Sequence, residues 1–196
     1  MALLDWINEA TGPVLKGAGV TLRAPRAADH EAWAMQRQAS HAYLQPWEPS
    51  WPEDDLTRAA FKRRLSIYAR ETEAGNAWPF FIFADVDQAL IGAITLSNIR
   101  RGVAETGTLG YWIGQPFAGR GHATAAVRAM VGFAFQDLNL HRLEAACVPD
   151  NTASRRVLEK AGFGLEGEAR AYLKINGAWA DHLLFGIVNH GAGRGG

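Results

Sequence analysis

The chain has 196 residues, a length that suits one large domain and is short for two well-packed ones. Its 20 Lys and Arg residues balance its 20 Asp and Glu residues, so the formal net charge is zero, which argues against a protein that coats nucleic acid. Hydrophobic residues make up 48 % of the chain and charged residues 20 %, a globular composition that excludes a disordered protein.

The predicted elements, taken in chain order, form a mixed α/β pattern. The longest helix carries Phe61, Leu65 and Tyr68 at the spacing of one buried face, and Asn176-Gly177 is a strong signal for a hairpin turn. We predict strands over 20–24, 78–84, 89–98, 106–114, 141–148, 163–175 and 178–188, and helices over 28–38, 54–73, 121–137 and 152–160.

Two segments outside these elements have distinct compositions. Residues 43–52 (YLQPWEPSWP) hold three prolines and two tryptophans, so we expect an ordered loop without regular structure. Residues 189–196 are rich in glycine, which predicts a flexible tail after a single domain that spans residues 1–188.

The sequence shows no signal for export, membrane insertion or metal binding. The first residues, MALLDWINEA, include Asp5 and no basic residue, unlike a signal peptide, and no apolar run reaches about 18 residues, so we expect a cytoplasmic protein. The one cysteine, Cys147, excludes an intramolecular disulfide, and its place in the run 143–148 predicts a core residue. The six histidines lack metal-ligand spacing, so we expect no metal.

A glycine turn between a predicted strand and a predicted helix is the first candidate site. In residues 109–126 (LGYWIGQPFAGRGHATAA), Gly119 and Gly121 precede a helix whose free N–H groups and dipole favour a phosphate. The pattern is not a Walker A loop, since no Lys-Ser/Thr follows, and it lacks the third glycine of the dinucleotide fingerprint. Taken alone, the turn does not distinguish phosphate binding from a tight strand–helix connection.

A second motif identifies the family that this pattern resembles. Residues 148–163 read VPDNTASRRVLEKAGF, in which Asn151 and Ser154 lead into a short helix that ends near Gly162. Together with the glycine turn, this segment resembles the GNAT superfamily of N-acetyltransferases, over about 20–188. The segments YLQPWEPSW, LSNIRRG, LGYWIGQ and YLKINGAWADH are similar to the ribosomal-protein-alanine N-acetyltransferases of the RimJ/RimL type. The resemblance implies a single α+β domain, with a mixed, mostly antiparallel sheet flanked by helices.

The resemblance also implies acetyl-CoA as the cosubstrate. The glycine turn would bind the pyrophosphate through main-chain N–H groups, and the strand before it would pair with the pantetheine arm as an added strand does. Asn151 would hydrogen-bond the pantetheine or only cap its helix. One departure is Ala118, where the family usually has Gln or Arg, but the main-chain donors remain. The residues implied in binding are Trp112, Ile113, Gly119, Arg120, Gly121, His122, Ala123, Thr124 and Asn151.

The implied reaction is direct attack of an amine on the acetyl thioester. A protein α-amine has a pKa of about 7.7–8.0 against about 10.4 for lysine, so an α-amine acceptor needs little help from a base. Ser154 is the implied proton donor to the leaving thiolate, with a backbone-capping role as the alternative. Glu105 is the candidate base or water holder, or else a solvated turn residue, and Tyr172 offers a second hydroxyl.

The acceptor pocket is expected near the Pro-rich segment. Trp47 and Glu48 would wall it, and Glu48 would attract a cationic amino terminus; a packed Trp beside a solvated Glu is the alternative. Asn98, within LSNIRRG, and Asp181, within YLKINGAWADH, are further candidates for substrate binding. Asp181 and His182 suit pairing within the sheet equally well.

The balanced net charge conceals an uneven distribution along the chain. Residues 41–57 contain no Lys or Arg, whereas residues 58–70 contain five basic residues and no acidic one. The acidic residues of the first segment are Glu48, Glu53, Asp54 and Asp55. Such an acidic loop suits a basic ribosomal protein as the acceptor, although a solvated face explains it nearly as well.

The function that these observations favour is acetyl-CoA-dependent acetylation of a protein N-terminal α-amine, with a ribosomal-protein alanine as the acceptor. Acetylation of a small-molecule amine is one alternative, and a non-catalytic module that binds CoA or the ribosome is another. We expect a monomer or homodimer that binds neither nucleic acid nor membrane directly.

Overall fold

The computed structural model describes residues 12–191. The segment MALLDWINEA and the last five residues of the predicted tail lie outside the described residues. The helices are α1 (His30–Ala39), α2 (His41–Leu44), α3 (Arg58–Glu73), α4 (His122–Gln136) and α5 (Thr152–Lys160). The strands are β1 (Leu15–Gly17), β2 (Val20–Arg23), β3 (Trp78–Ala84), β4 (Leu90–Arg100), β5 (Thr106–Ile113), β6 (Arg142–Cys147), β7 (Gly164–Ile175) and β8 (Ala178–Val188).

The eight strands form one mixed sheet in the order β1-β2-β3-β4-β5-β6-β8-β7. Every neighbouring pair is antiparallel except β5 and β6, which run parallel. This parallel pairing joins Thr106–Thr108 to Arg142–Glu144 and ends there, although β5 continues to Ile113 and β6 to Cys147. The sheet therefore opens between the carboxyl-terminal halves of β5 and β6.

The two faces of the sheet are covered by different helices. On β3, Phe80 and Ile82 pack on one face with Met130 of α4, and Phe81 packs on the other with Trp33 of α1. This alternation follows from the two-residue period of a strand, which places successive side chains on opposite faces. We call these faces the α4 face and the α1 face. The fold class predicted from the sequence, a mixed sheet flanked by helices, is confirmed.

The Pro-rich segment contains more regular structure than its prolines suggested. It includes the end of α2 (Tyr43 and Leu44) and a single turn of 3₁₀ helix at Gln45–Trp47, so the prediction of an irregular loop over 43–52 was wrong in its first part. Pro46 occupies the first turn of the 3₁₀ helix, where a missing N–H breaks no helical hydrogen bond. A proline can therefore lie in the first turn of a short helix as well as interrupt regular structure.

The predicted bounds of the other elements differ from the observed ones mainly at their ends. Helix 54–73 begins only at Arg58, because the Thr57 hydroxyl caps it by accepting a hydrogen bond from the N–H of Ala60 at 3.2 Å. The predicted strand 89–98 extends to Arg100, and the short strand β1 was missed altogether. The helix 152–160 was predicted with the observed bounds.

Candidate active site

A cavity of about 740 Å³ occupies the opening between β5 and β6. Its walls come from both faces of the sheet: the starts of α4 and α5 on the α4 face, and the segment that follows α2 on the α1 face. Residues of β7 and β8 near their hairpin complete the lining. Most of the candidate residues line this cavity: Trp47, Glu48, Trp112, Ile113, Gly119, Gly121, His122, Ala123, Thr124, Asn151 and Ser154.

The glycine turn forms one end of the cavity. Gly119 and Gly121 have φ values of 75° and 86°, in the left-handed region that favours glycine, and Gly121 caps α4. Among the residues that the structure describes, no side chain accepts a hydrogen bond from the first N–H groups of the helix, so the amides of residues 122–124 are available to an anion. Arg120 is not part of the cavity lining, and its guanidinium carbon lies 5.9 Å from the centroid of the Phe117 ring.

We predict that Gly121→Val raises the dissociation constant for acetyl-CoA by about tenfold or more, equivalent to about 1.4 kcal/mol. A valine at a φ of 86° is strained, and the backbone shift that relieves the strain displaces the N–H groups at the turn. Calorimetric titration measures the effect. Gly75→Val is the matched control, because Gly75 has a φ of 71° at the end of α3, outside the cavity lining. Equal affinities of the two variants and the wild type would place the pyrophosphate elsewhere.

A network of hydroxyl groups lies at the start of α5. The side-chain oxygen of Asn151 accepts a hydrogen bond from the N–H of Ser154 at 3.0 Å, and so caps the helix. The Oγ atom of Ser154 lies 2.9 Å from the phenol oxygen of Tyr111 on β5. Burial raises the pKa of Tyr111 well above its ordinary value, so this phenol remains a proton donor at neutral pH. The predicted capping role of Asn151 is therefore confirmed, and it leaves the other oxygen lone pair free.

Tyr111 was not predicted from the sequence, although its signal was present. It lies two residues from Leu109 and from Ile113 on β5, so it shares their face of the strand and packs against the core of the α4 face. A phenol buried there needs a hydrogen-bond partner. Burial raises the pKa of the Cys147 thiol, which lies near Ser154. Cys147 is 5 % exposed, which confirms the prediction of a core residue.

The acceptor side of the cavity, on the α1 face, is held together by an ion pair. Arg37 of α1 donates to both carboxylate oxygens of Glu48 at 2.9 and 2.8 Å, and the indole N–H of Trp51 donates to the same carboxylate at 2.9 Å. The guanidinium carbon lies 3.8 Å from the centroid of the Trp51 ring. At the tip of the β7–β8 hairpin, the N–H of Asn176 donates to the main-chain oxygen of Glu48 at 2.9 Å. Glu48 therefore binds both α1 and the tip of the β7–β8 hairpin.

Most of the acidic residues in the segment 41–57 are paired with arginines. Asp55 pairs with Arg64 at 2.5 Å, and Asp54 pairs with Arg63. Two arginines of the basic helix α3 therefore neutralise Asp54 and Asp55, and Arg37 neutralises Glu48. Spacing along the chain did not show which charges meet, and the interpretation of this segment as an acidic surface for a basic protein stays a prediction.

Several candidate residues lie outside the cavity lining. The Glu105 carboxylate accepts a hydrogen bond from the N–H of Gly102 at 2.9 Å in the turn before β5, at the opposite end of that strand from Ile113. Asn98 is exposed near the end of β4, with a φ of 50°. The Asp181 carboxylate accepts from the N–H of Ala171 at 2.7 Å, a bond within the sheet.

Tyr172 and His182 form a contact between the last two strands. The Tyr172 ring is 46 % exposed and outside the cavity lining, and its centroid lies 5.8 Å from that of the His182 ring in an edge-on arrangement. His182 is 2 % exposed and lines the cavity. Its Nδ1 lies 2.9 Å from the carbonyl oxygen of Ala180. The sequence left substrate contact and pairing within the sheet open for His182, without a catalytic role.

Within residues 12–191, no three side chains of His, Cys, Asp or Glu are grouped to hold a metal ion. Among the helices of that same range, none is both long and apolar enough to cross a membrane.

Comparison with known proteins assigns this architecture to a family. Residues 20–164 match the acetyltransferase (GNAT) domain family. The chain is 36 % identical over 176 residues to "Probable N-acetyltransferase YjcK" of Bacillus subtilis (strain 168), covering 90 % of this chain and 97 % of that protein. It is 32 % identical over 162 residues to the [ribosomal protein uS5]-alanine N-acetyltransferase of Escherichia coli (strain K12), covering 82 % and 84 %.

A solved structure shows the same fold. The structure of Mycobacterium smegmatis RimJ in complex with CoA-disulfide matches with a TM-score of 0.83 and 36 % identity, over 90 % of this chain and 86 % of that one. The chain belongs to the GNAT family of acetyltransferases. It is an N-acetyltransferase that uses acetyl-CoA.

Proposed function

We propose that the protein transfers the acetyl group of acetyl-CoA to the N-terminal α-amine of a protein, with a ribosomal protein that begins with alanine as the substrate. The observation that carries this proposal is the cavity that crosses the sheet between β5 and β6. It connects an anion-binding helix end and a hydroxyl network on the α4 face with an aromatic wall on the α1 face. Two substrates can therefore approach one point from opposite faces.

The residues on the α4 face fit acetyl-CoA as the first substrate. The amides of His122, Ala123 and Thr124 provide donors for its pyrophosphate, next to the open turn at Gly121. Trp112 and Ile113 pair with β4 on one side, and their main chain on the side toward β6, beyond the β5–β6 pairing, borders the cavity and can pair with an extended amide chain. These residues bind and orient the thioester, which supplies the acetyl group.

Ser154 supplies the proton that the leaving sulfur needs. Its hydroxyl lies 2.9 Å from Tyr111, whose phenol stays protonated because burial raises its pKa. A proton given by Ser154 to the sulfur can be replaced by the Tyr111 hydroxyl, which is within hydrogen-bond reach. The Ser154–Tyr111 pair therefore acts as the acid of the reaction.

The acceptor side favours an uncharged amine presented by an extended chain. Because Glu48 is paired with Arg37, the lining there provides no free carboxylate to hold a lysine ammonium among the described residues. A protein α-amine is partly neutral near pH 7, since its pKa is about 7.7–8.0, whereas a lysine amine is almost fully protonated. The name of the uS5-alanine enzyme, at 32 % identity, supports an N-terminal alanine as the acceptor.

A protein acceptor of this kind would be met in the cytoplasm, where we expect the enzyme to act as a monomer or homodimer without binding nucleic acid itself. We also propose that residues 1–188 form one catalytic domain.

Steady-state kinetics with acetyl-CoA and a panel of acceptors tests the proposed substrate class. We expect the highest kcat/KM for peptides that begin with alanine, and no turnover of the same peptide with a blocked α-amine and no lysine. A polyamine and an aminoglycoside are the competing acceptors. Turnover of a small amine without turnover of the alanine peptide would assign the enzyme to small-molecule acetylation instead.

A further inference from the structure

His182 is a buried histidine that lines the cavity and takes no part in the proton donation by Ser154 and Tyr111. It is 2 % exposed, and its Nδ1 lies 2.9 Å from the main-chain oxygen of Ala180. A carbonyl oxygen can only accept a hydrogen bond, so Nδ1 carries a hydrogen. In the neutral ring, the lone pair is then on Nε2, and this atom has no protein hydrogen-bond partner among the described residues. The main chain therefore fixes the tautomer that has a basic Nε2.

The position of His182 on β8 places it on the acceptor side of the cavity. Its neighbour Leu183 pairs with Cys147 and packs against the core of the α4 face. Because side chains alternate along a strand, His182 lies on the α1 face, as Trp112 does. Ser154 and Tyr111 lie on the α4 face, so the imidazole and the hydroxyl pair line one cavity from opposite sides of the sheet.

Other candidate bases are already engaged or lie elsewhere. Glu48 is bound by Arg37 and Trp51, and Glu105 and Asp181 are outside the cavity lining. His122 and Asp150 line the cavity on the α4 face, at the starts of α4 and α5. The Tyr172 ring, which is 46 % exposed, lies edge-on to the His182 imidazole at 5.8 Å between centroids and carries no carboxylate.

We propose that His182 is the general base of acetyl transfer, an inference that rests on the proposed α-amine acceptor. As the amine nitrogen forms its bond to the acetyl carbon, Nε2 of His182 takes the proton that this nitrogen loses. The carbon–sulfur bond breaks, the electron pair goes to sulfur, and sulfur takes a proton from Ser154. After the products leave, His182 releases its proton to solvent and the Ser154–Tyr111 pair regains one from solvent, so the sum is amide plus free thiol. The Nδ1–H bond to Ala180 keeps the ring oriented throughout.

The test compares His182→Gln and His182→Ala with the wild type, using acetyl-CoA and a peptide that begins with alanine. Removal of a general base lowers rates by about 10²-fold to 10⁴-fold, and we expect a loss of kcat in that range for both variants. The dissociation constant for acetyl-CoA should stay unchanged, which also reports a folded protein. His141→Gln is the matched control, since His141 is exposed and outside the cavity lining.

Added imidazole separates a base from a structural residue. It should restore part of the lost rate in His182→Ala, which leaves room for the ring, and little in His182→Gln, which fills that room. Wild-type kcat in His182→Gln, or a loss in His182→Ala that imidazole does not restore, would overturn the proposal.

A measurement on the wild-type protein tests the proposal even if the variants do not fold. Carbethoxylation by diethyl pyrocarbonate attacks an imidazole nitrogen that has a free lone pair, and peptide mapping shows which histidine reacts. Loss of activity should follow modification of His182, and the alanine peptide should protect it. Full activity after modification of His182 would contradict the proposal. If the wild type acetylates a small amine and not the peptide, the proposed acceptor fails, and the same variants then test His182 with that amine.

Discussion

Replacing Ser154 by alanine is expected to lower kcat for acetyl transfer by about 10²-fold to 10⁴-fold, the usual contribution of a positioned proton donor. The variant loses the hydroxyl that lies 2.9 Å from Tyr111, so the leaving sulfur must depart without a proton from the protein. The capping bond from Asn151 goes to the main-chain N–H of residue 154 and survives the change. Stability and the affinity for acetyl-CoA should therefore change little.

Three further measurements make this prediction specific. Tyr111→Phe should cause a smaller loss of kcat, because Ser154 remains and only its proton supply is removed. Ser66→Ala, at an exposed serine on α3, is the matched control and should behave as the wild type. A second acyl donor with a better leaving thiol should reduce the defect of Ser154→Ala. An undiminished kcat in Ser154→Ala would show that the thiolate leaves without help from this hydroxyl.

Replacing Arg37 by methionine is expected to lower the free energy of unfolding by about 3–5 kcal/mol, the effect of removing one partner of a buried ion pair. The two side chains of the Arg37–Glu48 pair are 8 % and 19 % exposed, so water solvates the orphaned carboxylate poorly. The stacking of the guanidinium on Trp51 is lost as well. Because the pair fixes one wall of the acceptor side, KM for the acceptor should rise more than kcat falls.

Chemical denaturation of matched variants measures this effect. The Arg58–Glu31 pair is the control, since its side chains are 58 % and 86 % exposed, and Arg58→Met should change stability by less than about 0.5 kcal/mol. The double variant Arg37→Met, Glu48→Met removes both charges and should recover much of the stability lost in the single variant. Equal effects of Arg37→Met and Arg58→Met would show that the pair is not buried in solution.

The parts of the site that depend on local sequence could be predicted. The turn with Gly119 and Gly121 and the helix start with Asn151 each depend on a few consecutive residues, and the structure places both at the cavity. The alternation of apolar residues gave the strands, and the glycines and capping residues gave the helix ends. These features result from backbone geometry within one or two turns of chain.

The parts that depend on contacts between distant segments could not be predicted. The opening between β5 and β6 comes from a pairing that stops at Thr108, and no single strand carries a signal for it. Glu105 was a candidate because it precedes the strand of the acetyl site, but the strand separates it from Trp112 by about 23 Å at about 3.3 Å per residue. The partner of Glu48 is Arg37, in another helix, and charge spacing along the chain did not reveal it.

The central claim is that the enzyme acetylates an N-terminal α-amine and not a lysine side chain. The most direct measurement uses one peptide that has both a free N-terminal alanine and an internal lysine. After incubation with the enzyme and acetyl-CoA, fragmentation in a mass spectrometer shows which nitrogen carries the acetyl group. We expect a single acetyl group on the alanine nitrogen, formed about 10²-fold to 10⁴-fold more slowly when Ser154→Ala replaces the wild type. Acetylation of the lysine with a free alanine amine would contradict it.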